Sequence, residues 1–147
     1  MRRSTVVWLL GGYLALSACA PTARTAGPYK AKAVKTAEAV ASAVNSDLIL
    51  IEAAKQKHTT AAYVSVATSQ AEDSGSKAAA TFRSIQPPDR RSDVLRSQLG
   101  DLLDEAEKSL GDTRIVGRRG DRDALVSSKN ELEQVATKLR DFADQHK

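Results

Sequence analysis

A chain of 147 residues with a formal net charge of +4 has the length of a single domain. Its one cysteine excludes an internal disulfide, so the fold must be held by packing alone. The basic excess, 22 Lys and Arg against 18 Asp and Glu, is too small to mark a nucleic-acid binder by itself.

The amino terminus differs from everything after it. Arg2 and Arg3 give a positive start, and residues 6–16 follow without a charge. A bilayer-spanning helix needs roughly 20 apolar residues, so this run is short for an anchor and suits a signal peptide. It ends in Leu16-Ser17-Ala18-Cys19, an aliphatic residue, two small residues and a cysteine. That tetrapeptide resembles the lipobox of bacterial lipoproteins. The resemblance implies that residues 1–18 are removed and that the Cys19 sulfur receives a diacylglyceryl group, the lipidation site. An ordinary cleavage site with an incidental thiol is the alternative. Arg2-Arg3 hints at twin-arginine export, but the residues after it fit ordinary secretion better.

Several expectations depend on that leader. Loss of Arg2 and Arg3 lowers the net charge from +4 to +2, and an exported protein rarely meets nucleic acid. One acyl chain binds a membrane only marginally, with about 0.8 kcal/mol per buried methylene, so two or more make a durable tether. Ala20 stands where aspartate would resemble an inner-membrane retention signal. The protein is therefore expected on the outer membrane of a two-membrane host, or outside the plasma membrane of a single-membrane host.

Residues 19–29 lack an apolar period and read as a lipidated tether. From residue 30 to 147 the chain is rich in helix formers, and four apolar stripes recur at heptad spacing. The first is Val34, Ala37, Ala41, Val44, Leu48 and Ile51, and the second runs from Val64 to Ile85. The third runs from Leu95 to Val116, and the fourth from Leu125 to Phe142. Helices are predicted at about 30–57, 60–86, 90–118 and 121–146.

The breaks carry recognisable chemistry. Thr59 or Thr60 can cap the second helix, Asp89 or Ser92 the third, and Asp121 the fourth. Pro87-Pro88 ends the second helix, and Gly120 can take the left-handed conformation after the third. Gly111 and Gly117 threaten an early end to the third helix, and Gly75 a kink in the second; continuation is preferred for the third. The fold class is all-α: an up-down-up-down four-helix bundle after a cleaved signal peptide and short tether. Fusion of the first two helices into a longer rod is the structural alternative.

No catalytic constellation stands out, and the chain is not expected to be an enzyme. Neither His58 nor His146 has Glu three residues before it, as bundle di-iron sites require, and Met1 is the only methionine. The two histidines fall at opposite ends of the predicted bundle, so no metal and no cofactor is expected. No Gly-x-Ser-x-Gly occurs. Asp104, Glu105 and Glu107 read as a solvated helix face, and Arg119-Gly120-Asp121 as a helix end followed by a cap.

Three surfaces are candidates for contact. Arg118, Arg119 and Arg122, with Lys55, Lys57, His58 and Arg114, would form a basic tip far from the membrane. Such a tip suits an envelope protein or an anionic envelope polymer; offsetting of helix dipoles is the simpler account. Arg24, Lys30, Lys32 and Lys35 lie near the lipid and would face an anionic leaflet, at about 1 kcal/mol per basic residue. Ile49 and Leu50 fall off the first stripe, and with Tyr63 they would form either a partner-binding patch or a wider core.

The functional expectation is a membrane-anchored, non-catalytic interaction or structural module of the cell envelope. The alternative is a small-ligand-binding or sensory bundle, with room around Ala67, Ala71, Ser74 and Gly75.

Overall fold

The computed structural model describes residues 25–147. The signal peptide, Cys19 and Arg24 lie outside the described residues.

Helix α1 (Ala26–Lys55) starts four residues earlier than the apolar period suggests. The expectation of a tether through residue 29 is therefore corrected. Pro28 sits in the first turn, where a missing backbone N–H costs nothing, and Tyr29 is fully buried against Phe82 with ring centroids 5.5 Å apart. At the other end Lys57 has φ +62°, the left-handed conformation that closes a Schellman motif. The His58 N–H donates to the Ala53 carbonyl at 2.8 Å, and the Lys57 N–H to Ala54 at 3.1 Å. That turn separates the first two helices, so the fused rod does not form.

Helix α2 (Ala61–Arg83) is capped by Thr60, whose hydroxyl oxygen accepts the Tyr63 N–H at 3.2 Å. It ends three residues before the expected residue 86 and passes through Gly75 without a break. Helix α3 (Arg90–Arg119) begins at the Asp89 cap, which accepts the Ser92 N–H at 2.8 Å, and runs through Gly111 and Gly117 to a left-handed Gly120. The fourth arm is two pieces, not one. Helix α4 (Arg122–Ser127), capped by Asp121, meets α5 (Lys129–Gln145) at Ser128, whose hydroxyl donates to the Leu125 carbonyl at 2.7 Å.

The arms alternate in direction. Cross-helix ion pairs fix the order: Arg83 with Glu107 at 2.8 Å joins α2 to α3, Lys138 with Glu105 at 2.7 Å joins α5 to α3, and Lys129 with Glu52 at 3.5 Å joins α5 to α1. Helix α1 packs on all the others. Helix α3 crosses the diagonal to reach it, whereas α2 and α5 do not meet. The start of α1, the end of α2 and the end of α5 share one end of the molecule, where the Lys30 ammonium donates to the Lys147 carbonyl at 3.2 Å.

Leu99, Leu103, Leu110, Leu132, Leu139, Val135 and Phe82 fill the core, opposite alanines and valines of α1. Two glycines let α2 approach α3. A Cβ on Gly75 would come within 2.8 Å of Leu110 Cδ1, and one on Gly117 within 3.0 Å of Thr68 Oγ1. Among the described residues there is no strand, and no helix is long and apolar enough to cross a membrane.

Candidate functional site

The off-stripe residues of α1 divide between surface and core. Ile49 is 73% exposed, whereas Leu50 is only 6% exposed. Leu50 is thus corrected from a free contact residue to a mostly covered one. Both nevertheless line one groove between α1 and α2, together with Tyr63, which is 62% exposed. Val66, one turn further along α2, is also exposed. Two large apolar side chains, Ile49 and Tyr63, thus stand exposed along one groove.

The groove encloses about 510 Å3 and is lined by Ala67, Ala71 and Ser74. Those are three of the four small residues expected to leave space. The fourth, Gly75, is filled by Leu110 and Ala43, so the room lies on the outer face and not in the core. A second, more apolar groove of about 350 Å3 continues from Ala39 toward the Tyr29 end, where Lys32, Lys35 and Lys77 surround Phe82 and Ile85. Both volumes fall within the range of roughly 300–1,000 Å3 typical of binding clefts.

At the opposite end the α1–α2 and α3–α4 turns come together around a pocket of about 40 Å3, lined by Thr59, Thr60, Gly120 and Arg122 among others. It is too small for an organic ligand. Arg118, Arg119 and Arg122 are exposed there, and among the described residues none of the three forms an ion pair. Arg114 is not part of that tip: it turns back to pair with Glu72 on α2. Lys30 and Lys35 are exposed and Lys32 half-buried, all near the start of α1.

The histidines stay apart. The exposed His58 lies in the α1–α2 turn, while His146 ends α5, with Nδ1 2.7 Å from the Phe142 carbonyl and its ring 4.3 Å from the Phe142 ring. Among the described residues no three His, Cys, Asp or Glu side chains are grouped to hold a metal ion.

Asp47 escaped the sequence reading. It is 1% exposed, and neither carboxylate oxygen has a hydrogen-bond partner among the described residues. Burial, reinforced by the nearby Glu72 carboxylate, pushes its pKa from 3.8 to about 8. A carboxyl near neutrality is a familiar catalytic device, but Asp47 lines neither groove. Its signal was present: Val40, Val44, Asp47 and Ile51 follow steps of 4, 3 and 4, and the adjacent Leu48 offered an apolar residue for the same stripe. Tyr29 is a milder case, its hydroxyl buried without a partner and its pKa raised by desolvation.

The chain matches no protein-family model, no curated protein and no solved structure.

Proposed function

We propose that this protein is an exported, lipid-anchored module of a bacterial cell envelope that binds a partner through the face formed by α1 and α2. It carries out no catalysis of its own. The observation that supports a binding role is the pair of exposed apolar side chains, Ile49 and Tyr63, that line an open groove. The lipobox-like Leu16-Ser17-Ala18-Cys19 supports the anchor, with removal of residues 1–18 and the lipid on Cys19. The anchor holds the body at a membrane surface, and the exposed Lys30 faces an anionic leaflet from the tethered end. The arginine tip then projects away from the bilayer.

The anchor is tested by intact mass and detergent partitioning of protein from the native host, beside a Cys19→Ala variant. A diacyl or triacyl mass, lost in the variant together with membrane association, is the expected result. An unlipidated wild-type protein in the aqueous phase would rule the anchor out.

A second reading, a small-ligand-binding bundle, has one observation in its favour, the 510 Å3 volume lined by Ala67, Ala71 and Ser74. That volume opens to solvent along the helices, whereas a small ligand is best held by a site that covers most of its surface. An elongated partner suits it better.

A further inference from the structure

The α1–α2 face is a long trough. Its two grooves share Ala39 as a common wall, and their lining residues extend from Lys32 to Ala53 along α1. At 1.5 Å per residue that is roughly 30 Å, the length of a helix of about 20 residues.

We propose that this trough seats one amphipathic helix of a partner protein, apolar on its buried face and acidic at the end that meets Lys32, Lys35 and Lys77. The inference rests on the interaction-module reading and names the chemistry of the partner. The floor is made of small side chains, including Ala39, Ala43, Ser46 and Ala71, so an incoming backbone can approach closely. Ile49 and Tyr63 supply apolar contact at one end. This is the helix-in-groove mode of recognition, read through anchors at i, i+3, i+4 and i+7.

Charge selects the partner and its direction. Every charged residue lining the two grooves is a lysine. Lys77 is paired with the exposed Asp73, whereas Lys32 and Lys35 form no ion pair among the described residues. An acidic terminal turn would complement that end and fix the register. A second copy of this chain fits less well. A two-fold axis along the helices would set Lys32 and Lys35 of one copy against Lys77 of the other, a like-charge contact that disfavours association.

The test uses the full chain and two labelled synthetic helices of 20 residues. Both carry one Leu-rich face, and they differ only in a terminal turn of Glu or of Lys. We expect saturable binding of the Glu peptide at low salt, at least tenfold tighter than the Lys peptide. The double variant Lys32→Glu/Lys35→Glu should reverse that preference. Ser46→Trp, at an exposed position in the trough, should weaken both peptides at least tenfold with the circular dichroism spectrum and Tm unchanged. Equal affinity for the two peptides, saturable binding to neither, or unchanged binding by Ser46→Trp would overturn the proposal. So would saturable binding to phosphatidylglycerol vesicles, or dimerisation in sedimentation, if Ser46→Trp abolished it while the peptides failed to bind. Failure of the Cys19→Ala partitioning test concerns the anchor alone and leaves these results intact.

Discussion

A carboxyl sealed from water must find a partner or keep its proton, and Asp47 keeps its proton. Its pKa is pushed from 3.8 to about 8, so between those values the unfolded chain releases the proton before the native one does. The native state then binds more protons than the unfolded state, and this group's contribution to stability falls as pH rises through that window. The slope approaches about 1.4 kcal/mol per pH unit, and the accumulated penalty is on the order of a few kcal/mol near pH 8. Asp47→Asn keeps the shape and removes the titration. Its Tm relative to wild type should rise steadily from pH 4 to pH 8; a constant difference across that range would refute the buried-acid account. Asp89 titrates in the opposite sense, because the Ser92 N–H holds its carboxyl below the ordinary value, but it is fully exposed and governs only the acid limb.

Adjacent residues on α1 should respond differently to one change. Ile49 is mostly exposed and Leu50 mostly covered. Ile49→Asn should leave stability within about 0.5 kcal/mol. Leu50→Asn removes buried apolar area and adds a covered amide, at a cost of roughly 2–4 kcal/mol. Urea unfolding of the pair checks the division. If both lost stability equally, Ile49 would belong to the core and the binding face would lose its main anchor.

At the scale of the helix, much of the fold was legible in the sequence because heptad stripes and caps report local chemistry. Thr60, Asp89, Asp121 and Gly120 stand where capping rules put them. Other features were hidden, the division of the fourth arm at Ser128 among them. Residues 26–29 looked like tether because Gly27 and Pro28 disfavour a helix interior, yet the packing of Tyr29 on Phe82 draws them into α1. The break after residue 57 was expected, but its left-handed closure at Lys57 was not, because no glycine marks it. The binding trough was hidden because it is made by the spacing of two helices, and that spacing depends on close approaches between helices, such as those of α2 and α3 at Gly75 and Gly117. The arginine tip was legible in part: Arg118, Arg119 and Arg122 stay on the surface, but long-range pairing with Glu72 removes Arg114.

Two glycines of α3 separate these causes experimentally. Nothing lies within 4 Å of a Cβ built on Gly100, so Gly100→Ala should gain helix propensity alone, about 0.5–1 kcal/mol. A side chain at Gly117 would meet Thr68 and Val64, with Cβ contacts of 3.0–3.3 Å. Gly117→Leu should therefore push α2 away and cost about 1–3 kcal/mol. Equal stabilisation by both substitutions would mean that α2 and α3 are not closely packed at their contact.

For the whole molecule, connectivity through α1 makes the arms unequal. Helix α1 touches every other helix, whereas α2 is held by α1 and α3 alone and leaves one flank open to the trough. The residues α2 buries are mostly small: Val64, Thr68, Ala71, Gly75 and Ala79, with Phe82 the one large side chain. Burial stabilises in proportion to apolar area, so this arm has the least to lose on opening. Native-state amide exchange should show α2 opening as a unit at a free energy below that of α1, by about 1 kcal/mol or more. Uniform protection across α1, α2, α3 and α5 would instead describe a single cooperative unit. A helix seated in the trough would couple to the same motion. It binds only when α2 is in place, so it raises α2 protection by RT ln(1 + [L]/Kd), about 2.7 kcal/mol at a hundredfold excess over Kd. Protection gained in α2 and the facing turns of α1, up to the free energy of global unfolding, would place the ligand on that face. Protection gained only around residues 118–122 would place it at the arginine tip instead.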